Sequence, residues 1–295
     1  MTDATAAGTI YDLGYQHYEG ERLGRANAIR TLAAYSLRSA FGLGRGERAK
    51  FVPVLMGLFC FIPVIGQMVM ANAAGDPSRI NFAQQTQFTN LFLILFAAAQ
   101  APELIVVDKQ LGVLGLYLSR SLRSTDYAFA KWAAMVGAML FYTLLPQLIL
   151  FAGSLLLADA PWHAFTETWR TLGPILGTSV VISCYLATVG LALGSLAARK
   201  GYASASVIAF FLMTPVLSAI AMTLLPHDIM RYGILGNPIE AMSGFARWAF
   251  NVKPLVSRRF PLAAPRFGVE YFYPLIITTV VAAGLLTYRF RRSDI

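Results

Sequence analysis

Charge is scarce in this chain: Asp, Glu, Lys and Arg make up 13% of its 295 residues, where soluble domains carry roughly 25%. With 57% hydrophobic residues beside that shortage, an ordinary soluble fold is excluded and a membrane protein is what remains. Cysteine is almost missing too. Cys60 and Cys184 each lie inside an apolar run, so no disulfide framework organises the chain, although a single bridge between them stays open. The three histidines, His17, His163 and His227, are far apart and have no Cys-x-x-Cys or His-x-x-x-His neighbour, which leaves a structural metal site without a ligand set. Pro161-Trp162-His163 reads as an interfacial stretch instead. There is also no P-loop: Gly42-Leu43-Gly44-Arg45-Gly46 is glycine-rich, but no Lys-Ser or Lys-Thr follows it and no strand precedes it. The chain therefore cannot hold ATP in that way by itself. No Gly-x-Ser-x-Gly, His-Glu-x-x-His or clustered Asp motif is present, so a standalone enzyme is not expected. The first 24 or so residues are polar, with no basic and apolar signal pattern, and the N-terminus is expected to stay in the cytoplasm.

What is abundant is long apolar sequence. Six runs meet the length of roughly 20 residues needed to cross a bilayer core, at about 51–73, 87–107, 131–157, 171–198, 203–225 and 271–288. An even number of crossings puts both termini on one side. About two thirds of the 24 Lys and Arg residues fall on the side that holds the termini, which makes that side the inner one. The third and fourth runs are longer than a straight crossing requires, and Pro146 and Pro174 are available as kink points. The formal net charge of +9 sits beside the spans, where anionic headgroups explain it better than nucleic acid. Nucleic acid is not expected as a partner, whereas membrane lipid is.

Residues 1–50 form an arm ahead of a membrane domain at 51–295. Within the arm, Tyr11 to Arg25 alternates aromatics with glycines, which suits either a docking segment or a disordered tail held at the lipid by its arginines. From Ala26 to Phe41, apolar residues fall on one helical face with Arg30 and Arg38 off it, the pattern of an interfacial amphipathic helix. Inside the spans, the polar residues Gln67, Gln100, Glu103 and Gln147 stand out, with Cys184 and Tyr185. No chain of buried ionisable groups is visible, which argues against an ion-coupled secondary transporter. Glu103 alone is a candidate for such a role, and its other reading is a carboxylate that reaches the interface or pairs with a nearby base. Gly190 and Gly194 give the fourth span a small-residue face for helix packing or for a dimer contact. Pro215 is expected to bend the fifth span. Between the fifth and sixth spans, Ile239, Met242, Phe245 and Ala249 form a helical stripe, read as an outer-surface or re-entrant helix. Lys253, Arg258, Arg259 and Arg266 make the rest of that connection basic, for an anionic ligand or for lipid headgroups.

The most informative polar interruption runs from Asp108 to Tyr127. Leu111, Leu114 and Leu118, with Val113 and Tyr117, recur at helical spacing, and Lys109, Arg120, Arg123 and Asp126 surround them with charge. A short surface helix or a plain joining loop both fit. The segment from Ile105 to Arg120, followed by Asp126-Tyr127 and Lys131, resembles the segment after the second span of ABC-2 type transporter permeases. The N-terminal Tyr-Asp-x-Gly-Tyr block with Gly24-Arg25, and the closing Arg291-Arg292-Ser293-Asp294, are similar to a subgroup of such permeases from high-GC Gram-positive bacteria. The likeness covers nearly the whole chain; it departs at Ser121, where the family commonly has proline.

That resemblance implies an all-α membrane protein with six spans, an interfacial N-terminal helix and a cytoplasmic coupling helix between spans two and three. It implies a bacterial cytoplasmic membrane, a second permease copy or related permease as dimer partner, and a separate ABC ATP-binding subunit that binds ATP and Mg. No cofactor is expected in this chain. By the same resemblance, Leu114, Tyr117, Leu118, Ser119 and Arg120 would contact the ATPase, with Glu103 and Asp108 orienting the segment. The activity implied is ATP-driven export of a hydrophobic or amphipathic substrate such as a drug, lipid or peptide. The alternative is a non-transporting membrane component that relays ATPase motion to an outer partner.

Overall fold

The computed structural model describes residues 24–44, 46–76, 79–113, 122–158, 160–224, 226, 231–252 and 268–291. Nine α-helices occur among the described residues, and no strand does: α1 Gly24–Ala40, α2 Glu47–Ala74, α3 Phe82–Gln110, α4 Ser124–Leu156, α5 Pro161–Thr168, α6 Leu172–Leu196, α7 Lys200–Leu224, α8 Pro238–Ala249 and α9 Phe272–Arg291. Six stretches of this set are long and apolar enough to cross a membrane, and they take in α2, α3, α4, α5 with α6, α7 and α9. The chain is a multi-pass membrane protein by this criterion.

Burial sorts the six into a core and a shell. Long apolar helices in lipid need only one face against protein. Those that pack on several sides, α3, α4 and α6, bury most of their residues, whereas α2, α7 and α9 keep broad apolar faces exposed. Phe96, Leu104, Ile105, Met135, Met139, Leu186 and Leu191 fill the centre. Gly190 and Gly194 are what let α6 come close to α3. A Cβ on Gly194 would lie 3.1 Å from that of Ala101, and one on Gly190 would lie 3.4 Å from that of Ala97. This small-residue face is thus used inside the chain. Gly194→Leu is expected to cost about 1–3 kcal/mol by overpacking that contact, seen as a lower melting temperature in detergent. Gly177→Leu, at a position with nothing within 4 Å, should melt like the parent.

Two helix ends differ from the sequence expectation. The third crossing begins at Ser124 and not near Lys131, because the Asp126 carboxylate accepts the Arg123 backbone N–H at 3.0 Å and closes the first turn. The second begins at Phe82 and not near residue 87, because Asn81 caps it by accepting from the Gln84 backbone N–H. Pro174, expected as a kink point, lies inside the continuous helical stretch Pro161–Leu196, directly after the 3-10 turn Trp169–Thr171 that joins α5 to α6. Pro146 and Pro215 do lie within helices.

At 33 residues, α4 is about 50 Å long, roughly 20 Å more than a hydrocarbon core of about 30 Å. Helix α1 covers its first half. Arg25 meets Asp126, Leu37 lies against Gly137, and the rings of Phe41 and Phe141 are 5.4 Å apart. These pairings keep a nearly constant sequence offset, so the two helices run side by side in the same direction. Gly42 then turns the chain into α2 with a left-handed φ of 71°, and a Cβ there would lie 2.5 Å from the Ala49 carbonyl oxygen.

The end of the bundle that carries the 108–127 connection is called the near end below, and the opposite end the far end. At the far end, amide side chains stitch α2, α3 and α4 together. Gln85 donates to the Cys60 carbonyl at 3.0 Å, Gln67 donates to Gln85 at 3.2 Å, and Gln147 donates to Thr86 at 2.7 Å. The helix expected between the fifth and sixth spans is present as α8, capped by Asn237 and sunk among its neighbours with Ala241, Met242 and Ala246 fully buried. Its Ser243 is reached from α3 by the Asn90 amide at 3.5 Å. The remaining basic part of that connection, with Lys253, Arg258, Arg259 and Arg266, lies outside the described residues. Cys60 and Cys184 are both free thiols.

Candidate functional site

The near end of α3 is where charged side chains gather. A helix that leaves an apolar bundle must present its last turn to water or to other polar groups, and this one does the second. Asp108 accepts two charge-assisted contacts on one oxygen, from Lys131 Nζ at 2.7 Å and from the Tyr127 hydroxyl at 2.8 Å, both on α4. Lys131 is almost wholly buried, its side chain 4% exposed against 14% for Asp108. It also stands over the Tyr127 ring, 5.4 Å from the centroid. The next residue, Lys109, donates to the Ser195 carbonyl at the end of α6, at 2.9 Å, and sits over the Phe290 ring of α9 at 5.6 Å. Gln110 donates to the Ala198 carbonyl at 3.2 Å. One and a half turns back along α3, Glu103 pairs with Lys200 at the start of α7, at 2.9 Å.

Four residues at the end of one helix therefore hold α4, α6, α7 and α9. A further clamp lies beside them. The Arg25 guanidinium of α1 grips Asp126 through Nε at 2.7 Å and Nη2 at 2.6 Å, while Asp126 also caps α4. Arg25 is exposed, and the hydrogen bond to Asp126 raises its pKa from an already high value, so it stays charged at any physiological pH.

Between α1, α2, α3 and the starts of α4 and α7 a cavity of about 620 Å³ opens. Its walls include Tyr35, Val52, Gln100, Glu103, Lys131 and Lys200. Gln100 is 4% exposed, and its Oε1 has no hydrogen-bond partner among the described residues.

Comparison with protein families returns no match, and none of the curated proteins matches the chain either. The geometry has to carry the functional argument.

Of the residues singled out from the sequence, Glu103 and Asp108 are both in this cluster, Glu103 in the paired state that was one of its two readings. Leu114, Tyr117, Leu118, Ser119 and Arg120 lie outside the described residues, as does the Tyr11 to Leu23 part of the arm. Arg30 and Arg38 project from α1 and are exposed. Lys131, Lys200 and Arg25 went unrecognised as partners. Their pairings span 23, 97 and 101 positions in sequence and follow no local period, and only the excess of charge beside apolar runs hinted at them. Gln85 and Asn90 were missed among the buried polar groups, Gln85 because the second span was begun too late.

Proposed function

We propose that this chain is the transmembrane subunit of an ATP-driven ABC exporter of the ABC-2 type, in a bacterial cytoplasmic membrane with both termini inside. The observation that carries the reading is the junction at the end of α3. The segment assigned to ATPase contact begins at residue 114, three residues beyond the α3 C-cap at Leu111. Immediately behind it, Glu103, Asp108 and Lys109 tie α3 to α7, α4 and α6 by short polar contacts, and Gln110 donates to the Ala198 carbonyl that follows α6. A push on that segment cannot move α3 alone. Breaking Asp108 from a buried lysine would cost several kcal/mol, so the bundle follows as linked bodies and not as a melted end. On this reading the energy comes from outside the chain, whose sequence has no P-loop.

On this reading, the near end is the inner one, and the surplus length of α4 stands proud of the hydrocarbon with α1 against it. Arg30 and Arg38 then lie at headgroup level. Leu114, Tyr117, Leu118, Ser119 and Arg120 sit in a groove of the ATP-binding subunit, which binds ATP and Mg. A second permease copy completes the path, and the apolar faces of the spans suit a hydrophobic or amphipathic substrate.

The test is co-expression with an ABC ATPase encoded beside this gene. The two should co-purify, and the ATPase rate of the complex should differ from that of the isolated ATPase. Failure to associate with any ABC ATPase of the source organism would remove the reading. Orientation has its own check: with Cys60 and Cys184 replaced by alanine, Arg199→Cys should stay unlabelled by an impermeant maleimide on intact cells and label after permeabilisation. Labelling on intact cells would invert the topology.

A further inference from the structure

Helix α5 is longer chain than the crossing it precedes has use for. The helical stretch Pro161–Leu196 has 36 residues, about 54 Å if straight, against a hydrocarbon core of about 30 Å. Its near end is fixed among the charged groups, where the Ser195 carbonyl accepts from Lys109 at 2.9 Å. From there the 25 residues of α6 rise about 37 Å, which already completes a crossing. Trp169 and Arg170, in the 3-10 turn before α6, therefore arrive at the far headgroup level. Phe165 meets Phe151 of α4 with ring centroids 6.5 Å apart, so α5 rests on the closing turns of α4 and does not stand off in water.

The sides of α5 differ in chemistry. Trp162, Phe165 and Trp169 follow one another at helical spacing, and the first two stack with centroids 5.9 Å apart. Trp162 is 77% exposed and Trp169 52%. The same stripe runs on into α6, where Gly173, Leu176 and Val180 follow Trp169 at helical spacing and are all exposed. An apolar face of a membrane-crossing helix thus continues without a break into the aromatic edge of α5. Off that edge, the exposed side chains of His163 and Glu167 approach each other at 3.6 Å. The Arg170 guanidinium stands 5.9 Å from the Trp169 ring centroid. Indole suits the level where acyl chains give way to water, because its ring is apolar and its N–H is a donor.

We propose that α5 is an interfacial anchor whose partner is the phospholipid of the far leaflet. Trp162, Phe165 and Trp169 insert at the boundary between headgroups and acyl chains, Arg170 lies at phosphate level, and His163 and Glu167 face water. The sequence marks only Pro161-Trp162-His163 as interfacial; the structure adds the face that enters the lipid, its continuity with α6 and the leaflet. Neither an ATPase nor transport enters this assignment, and its failure would leave the exporter reading untouched.

The test uses the full chain, with Cys60 and Cys184 replaced by alanine, in phosphatidylcholine vesicles. A nitroxide is attached in turn to Trp162→Cys, Trp169→Cys, His163→Cys and Glu167→Cys. Its collisions with oxygen, which concentrates in lipid, are compared with those of a nickel chelate, which stays in water. The oxygen-to-nickel ratio at the two tryptophan positions should be at least about threefold that at the other two. Equal ratios at all four positions would place α5 in water, and few collisions with either reagent at the tryptophan positions would place a protein there, a second copy included. Either result would overturn the proposal. The native tryptophans supply a measurement that needs no cysteine variant. The emission lost on Trp162→Phe with Trp169→Phe should be emission that a lipid nitroxide near the headgroup quenches about twofold more than one near the chain end. Equal quenching by the two, or none by either, would also count against it.

Discussion

Lys131→Met lowers the stability of the folded chain by about 3–5 kcal/mol, the cost of leaving one member of a buried ion pair alone. The size follows from where the pair sits. Lys131 Nζ is 2.7 Å from Asp108 Oδ2, with the lysine side chain 4% exposed, so the lost ammonium leaves the carboxylate largely buried. Among the described residues, Asp108 would keep the Tyr127 hydroxyl at 2.8 Å. The second half of the expectation is more telling. Asp108→Asn added to Lys131→Met removes the stranded charge, and an amide beside a thioether should recover all but about 1 kcal/mol. Unfolding in detergent, followed by melting temperature and by denaturant midpoint, checks both. A double variant as unstable as the single one would show that the pair is not what holds α3 to α4.

Gly244→Leu should have an effect of about 3 kcal/mol at the far end, the upper part of the range for overpacking. The Tyr271 ring occupies the space that any side chain at 244 would take. Helix α8 has no room to retreat, because Ala241, Met242 and Ala246 are already buried on its other contacts and Phe245 stacks on Phe272 at 5.3 Å. The Glu240–Arg247 ion pair closes the same face. Tyr271→Ala in the same chain vacates the space, and the double variant should melt above Gly244→Leu alone. If it melts lower still, the clash at Tyr271 is not the cause.

Much of the framework is readable from sequence because bilayer physics is blunt: a run of about 20 apolar residues has few alternatives to a crossing helix. The stripe of Ile239, Met242 and Phe245 was legible for the same kind of reason, since its period is local and Asn237-Pro238 marks a helix start. Helix ends were less legible. Ser124 and Phe82 begin helices ahead of the apolar runs because caps, and not hydropathy, set the first turn. The cluster at the end of α3 was visible only in outline. Asp108 and Glu103 draw notice as charges beside a span, but Lys131, Lys200 and Arg25 are brought to the cluster by helix packing across long stretches of chain. The face of Gly190 and Gly194 was recognisable as a close-contact surface, yet its period is the same whether the neighbour is α3 or another subunit. Only the position of Ala97 and Ala101 decides that.

The central claim is that force from a partner ATPase enters through the segment that follows α3. Its most direct measurement is the ATPase rate of the purified complex with Tyr117→Ala and Leu118→Ala together in this chain. The rate should shift to that of the ATPase alone, or the complex should dissociate, while the melting temperature of the variant chain by itself stays that of the parent. An intact complex with an unchanged rate would contradict the account.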